Sequence, residues 1–165
     1  MTNTRISKID DIENISLVLA LSWKTAYQGI VHDEYLDKLR HDNWVEFLST
    51  GLNNDTVFSM VIENNQEIIG AAILCNTEKE REVSLKAFYL VPDKIGQGFG
   101  HIFYNAIEIE LKYRGFQNCV IDVLKENKRA IRFYEAHCFM DTGKKINAVL
   151  GEKNYICKVY EKALS

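Results

Sequence analysis

Proline is nearly missing from this sequence: Pro92 is the only one in 165 residues. With no proline-rich, Gly/Ser-rich or singly charged linker to part the chain, residues 1–165 are expected to fold as one domain. No segment approaches the roughly 18 apolar residues of a membrane-spanning helix, so no membrane partner is expected. No apolar stretch follows Met1-Thr2-Asn3-Thr4-Arg5, so the expectation is a cytoplasmic protein without a secretory leader. Charge of one sign is not in large excess. A net charge of −3 gives no general pull toward nucleic acid, and none is expected as a partner. Cys75, Cys119, Cys138 and Cys157 form no C-x-x-C pair, and His32, His41, His101 and His137 show no ligand spacing. No metal site is therefore predicted. Cys75, Cys119 and Cys157 lie in or beside apolar runs, where a reduced thiol packs as a small hydrophobe.

What is present is an ordinary globular balance, 47% hydrophobic and 26% charged. A short strand is expected at Thr4–Ile9, then a helix capped by Asp10 or Asp11. Ile12, Ile15, Leu19, Trp23 and Ala26 recur at helical spacing and carry that helix toward Gly29. Asp33–Leu39 and Asp42–Leu48 read as two short helical pieces. Val57–Ile62 and Ile68–Cys75 read as a hairpin around the turn-like Glu63–Glu67, followed by a third strand at Glu82–Val91. A helix then runs to about Arg114, with Gly115 as its stop. Strand Cys119–Leu124, helix Asn127–His137 and closing strands Met140–Lys145 and Tyr155–Tyr160 complete the chain. This mixture of meander and crossover predicts an α/β sheet with helices on its faces.

Between the third strand and the next helix stands Gly96-Gln97-Gly98-Phe99-Gly100. Glycines permit a sharp turn with positive φ and leave main-chain amides unshielded. At a helix N-terminus, free N–H groups and the positive dipole end converge on one spot, which suits a phosphate. A plain strand-to-helix turn is the alternative. Two common phosphate fingerprints fail: no Lys-Ser/Thr pair follows for a Walker loop. The Gly-x-Gly-x-x-Gly pattern places His101 or Phe103 at its last position.

At these residues the chain resembles the GNAT acetyltransferases, whose Gln/Arg-x-x-Gly-x-Gly/Ala signature opens a central helix. Gly98-Phe99-Gly100 fills the second half, Pro92 stands six residues before Gly98, and Ile95 replaces the usual Gln or Arg. Lys94 offers positive charge nearby. Asn127-Lys128-Arg129-Ala130-Ile131-Arg132-Phe133-Tyr134-Glu135 resembles the family's Asn-x-x-Ala-x-x-Phe-Tyr-Glu helix, with Cys138-Phe139 in place of Gly-Phe. Trp23–Val31 with Glu34-Tyr35-Leu36 is similar to a bacterial branch that includes polyamine acetyltransferases. The resemblance implies a mostly antiparallel mixed sheet, splayed to form a coenzyme slot, with acetyl-CoA as cosubstrate and no metal. It implies a primary amine, on a small molecule or peptide, as acceptor. A homodimer is also implied as a possibility, since family members often pair.

The same resemblance assigns residues. The main chain at Phe88, Tyr89 and Leu90 would pair with the pantetheine arm, Gly96, Gln97, Gly98, Phe99, Gly100 and His101 would hold the pyrophosphate, and Asn127 would touch the arm. Tyr134 would lie near the coenzyme sulfur as general acid; on helical periodicity alone it reads as a packing aromatic. Asp122, a carboxylate within the otherwise apolar Ile121-Asp122-Val123, reads as a partly buried base. It stands five residues before Asn127, where members that acetylate protein N-termini carry an acidic residue. Glu82, or no dedicated base, is the alternative. Trp23, Tyr27, Tyr35 and Trp44 are candidates for an acceptor wall, though aromatics on amphipathic helices more often pack in a core. A non-catalytic CoA-binding module with the same fold is the competing function.

Overall fold

The alternating apolar runs become strands of a single sheet in a computed structural model, which describes residues 1–165. The strands are β1 (Thr2–Ile6), β2 (Val57–Asn64), β3 (Glu67–Asn76), β4 (Glu82–Leu90), β5 (Asn118–Leu124), β6 (Met140–Leu150) and β7 (Lys153–Ala163). They lie in the order β1-β2-β3-β4-β5-β7-β6. Only β4 and β5 are parallel neighbours; every other pair is antiparallel. That parallel pair needs a crossover, and the helix behind the glycine loop supplies it. The helices are α1 (Ile12–Ala26), α2 (Asp33–Asp37), α3 (Val45–Asn53), α4 (Phe99–Tyr113) and α5 (Lys128–Ala136).

Turn chemistry explains the hairpins. Asn65 and Gln66 both adopt positive φ, 52° and 68°, giving the two-residue turn whose twist matches the β2–β3 pair. Gly151, at φ 66°, opens the tight turn between β6 and β7. This hairpin is longer than its sequence suggests. An irregularity between Asp141 and Lys145, where Gly143 takes φ 79°, interrupts the apolar pattern without ending the strand. The second short helix begins at Val45 rather than Asp42. Asp11 takes the N-cap position of α1 but makes no cap bond. Its carboxylate instead accepts from the Lys8 N–H at 2.7 Å and from Arg5 at 2.7 and 3.1 Å. Arg5, followed by the Lys8 N–H, outweighs burial and holds this carboxyl below the usual range.

Two cores sandwich the sheet. On one face Phe103, Tyr104, Ile107 and Leu111 of α4 and Ile131 of α5 pack on Ile62, Ala72, Leu85 and Ile121. On the other, Ile12, Ile15, Val18 and Leu19 of α1 and Leu48 of α3 pack on Val61, Ala71, Ile73 and Ala87. A third cluster, with Tyr27, Leu36, Leu124 and Cys157, ties the end of α1 and α2 to β5 and β7. Cys138 follows α5 at φ 69°, the left-handed geometry a glycine adopts more easily.

Candidate active site

β4 and β5 pair only at Glu82/Asn118, Val83/Cys119 and Ser84/Val120, and then diverge although both strands continue. The cause lies on the other side of β4. Opposite β3, Ile73 pairs with Ala87 and Leu74 with Leu85, so Lys86 is an extra residue bulged out of register. A bulge bends its strand and sharpens its twist. The far half of β4 is thereby peeled from β5, leaving a slot with a free main-chain edge.

The glycine loop lies at the end of that slot. Gly96 and Gly98 have φ of 82° and 89°, and a Cβ built on either would meet nothing within 4 Å. These two glycines therefore border open space rather than protein. Gly100 differs: a Cβ there would meet Phe133 at 3.2 Å, so its small size serves the packing of α4 against α5. Gly98 is the N-cap of α4, and Ile102 makes the first backbone bond back to it, at 3.3 Å. The N–H groups of Phe99, Gly100 and His101 are left over in the first turn, aimed out of the helix end.

Slot and loop share one cavity of about 490 Å³. Phe88, Tyr89, Leu90, Gly96, Gly98, Gly100, His101, Asn127 and Tyr134 all line it. Gln97, Phe99 and Asp122 do not. The Gln97 amide turns back to donate to the Asp93 carbonyl at 2.7 Å, and the Phe99 ring packs against the core beneath α4. Along β4 the side chains alternate. Phe88 stacks on Phe103 and Phe133 at 5.4 and 5.3 Å, whereas Tyr89 points to the α1 face, against Trp23 and Tyr27.

The partial burial expected of Asp122 is corrected: its side chain is exposed. Ile121 and Val123 point into the α4 side core, while the opposite face of β5 is sealed only at Leu124. Asp122 stands beside Cys157, whose thiol is raised by burial first and by this carboxylate second. Glu82 is buried at the closed end of the β4–β5 pair. It accepts from Thr77 and Asn118, both at 2.9 Å. From there to Phe88 is six residues of strand, roughly 20 Å at about 3.3 Å per residue. Glu82 fastens the start of the slot and does not reach its cavity.

Three phenols gather at the other end. The hydroxyls of Tyr27 and Tyr89 lie 2.6 Å apart. Burial pushes up Tyr27, Tyr89 and Tyr134, so all three hold their protons at neutral pH. Tyr134 hydrogen-bonds to no protein group, and its oxygen, unlike that of Tyr104, is not sealed in the core. It offers a free proton to the cavity. Asn127 caps α5 by accepting from the Ala130 N–H at 3.3 Å.

Sequence reasoning missed Ser22, Ala26, Ile95, Arg129, Ala130 and Phe133 as cavity residues. Ser22 and Ala26, one turn apart on α1, carry no signal of their own. Their place depends on α1 docking over β4, where the Ser22 hydroxyl donates to the Leu90 carbonyl at 2.9 Å. Nor did the spacing reveal that His101 Nδ1 and His137 Nε2 lie 2.8 Å apart. That contact ties the first turn of α4 to the end of α5, over the Phe133 ring.

Comparison with known proteins agrees with this geometry. The sequence profile described as acetyltransferase (GNAT) family matches residues 18–139. An uncharacterized N-acetyltransferase, YuaI, of Bacillus subtilis (strain 168) is 28% identical over 141 residues, covering 83% of this chain and 79% of its own. The structure of PaiA N-acetyltransferase from Thermoplasma acidophilum in complex with coenzyme A superposes with a TM-score of 0.78 at 21% identity, over 99% of both chains. YncA from Salmonella typhimurium, a protein solved with acetyl-CoA, superposes at 0.76 with 16% identity, over 100% of this chain and 95% of that one.

Proposed function

The chain belongs to the acetyltransferase (GNAT) family, and from that footing we propose that it moves the acetyl group of acetyl-CoA directly onto a primary amine within the β4–β5 slot. The observation that carries this is one cavity joining a bare glycine cradle, a free β4 edge and an unpartnered Tyr134 phenol. CoA or acetyl-CoA in the structures of PaiA and YncA supports the choice of coenzyme. When bound, the coenzyme supplies a thioester already activated toward amines.

Each part of the cavity then has a task. Gly96 and Gly98 let the pyrophosphate approach the N–H groups of Phe99, Gly100 and His101, where helix dipole and free donors act together. Arg129, on the cavity wall, adds positive charge that the Ile95 position lacks. The unpaired edge at Phe88–Leu90 receives the pantetheine amides as an added strand would, and Asn127 meets the same arm. As the new N–C bond forms and the C–S bond breaks, Tyr134 gives its proton to the departing sulfur. The proton shed by the amine passes through water to Asp122. That carboxylate is exposed and does not line the cavity, so water completes the path.

Asp122→Asn tests the last step. With a good acceptor, kcat/KM is expected to fall about 10-fold or more at pH values where the amine is mostly protonated, and less as pH rises. A pH–rate profile identical to that of the unmodified protein would remove Asp122 from the reaction.

A further inference from the structure

α1 contributes more than cover for the slot. Tyr27 is its C-cap, 8% exposed, with its N–H donating to the Trp23 carbonyl at 3.1 Å. Its hydroxyl meets that of Tyr89, on the β4 lip, at 2.6 Å. On the other side its ring packs in one cluster with Leu124, at the end of β5. Burial raises the Tyr27 phenol, and the hydrogen bond with Tyr89 offsets part of that rise. Tyr134, nearly two helix turns along from Asn127, lines the cavity from the α5 side. One side chain from α1 thus stands between two walls that the backbone leaves unpaired beyond Ser84 and Val120.

Such a contact acts at a distance where small changes matter. A reacting group displaced by about 1 Å can lose a hundredfold in rate. The slot has no backbone hydrogen bonds to fix its width at this point, and buried hydroxyls make directional ones. Tyr27 also belongs to neither the glycine loop nor the Asn127 helix. We propose that Tyr27 is a positioning residue for acetyl transfer: its hydroxyl holds Tyr89 in place, and with it the spacing between β4 and the wall that carries the Tyr134 phenol. This rests on the slot being the acetyl-transfer site.

The alternative is that Tyr27 only packs, since its ring lies edge-on to Trp23 at 4.6 Å. Phenylalanine separates the two, because it keeps the ring and removes the hydroxyl. Tyr27→Phe, Tyr89→Phe and the double variant are to be compared for kcat, for KM toward acetyl-CoA and for melting temperature. Tyr27→Phe is expected to lower kcat about 10-fold with KM nearly unchanged. Tyr89→Phe should do the same, and the double variant should lose no more than either alone, as partners in one hydrogen bond do. Removing both hydroxyls leaves no buried partner stranded, so the double variant should regain melting temperature without regaining kcat. Full kcat in Tyr27→Phe, multiplicative losses, or a double variant that recovers kcat together with stability would overturn the proposal. Those results presuppose an active unmodified protein. If the unmodified protein acetylates no amine, the transfer function fails, and the positioning role with it.

Discussion

Tyr134→Phe is expected to lower acetyl-transfer turnover about 100-fold while leaving the melting temperature nearly unchanged. The two halves of that expectation come from separate observations. Turnover falls because the variant has no proton for the departing sulfur, and burial keeps the native phenol protonated until it is needed. Stability holds because the hydroxyl has no protein partner to strand. The ring, packed edge-on to Phe133 and Phe139 at 5.6 Å each, remains. The thiol of CoA is a good leaving group, so the loss is smaller than an alkoxide would show. Turnover measured with acetyl transfer rate-limiting, beside a melting curve, checks both halves. Full turnover there would make Tyr134 a packing residue.

Gly98→Val is expected to abolish coenzyme binding. At φ 89° a β-branched residue is strained, and the space its side chain would enter is the open cradle itself. In the native protein, CoA at a hundred times its Kd should stabilise the fold by about 2.7 kcal/mol. For a domain of this length that is a rise of roughly 5–10 °C in melting temperature. The variant should melt somewhat lower without ligand and show no rise with it. NAD and ATP should raise the native melting temperature far less than CoA. A rise with NAD and none with CoA would contradict the assignment of the loop.

The sequence made the glycine loop legible because its physics is local: a positive φ needs glycine, and a helix start needs free amides. The strands around it were equally readable, since β2 and β3 carry near-continuous apolar runs and β4 alternates apolar with polar residues before Ala87-Phe88-Tyr89-Leu90. What stayed hidden depends on tertiary placement. The bulge at Lys86, which opens the slot, leaves no mark in a run that reads simply as strand. Asp122 looked half-buried because Ile121 and Val123 flank it, yet those two share the opposite face of β5. Ser22 and Ala26 are silent until α1 is laid across β4. Tyr27 and Tyr89 stand 62 residues apart, and nothing in either segment announces that their hydroxyls meet.

Incubation with acetyl-CoA and a panel of primary amines, with free thiol and acetylated product both quantified, tests acetyl transfer most directly. For at least one amine, CoA should appear in step with an equal amount of N-acetylated product, and Tyr134→Phe should slow both together. A protein that binds CoA firmly yet acetylates no amine in the panel would contradict transfer and leave a coenzyme-binding module in its place.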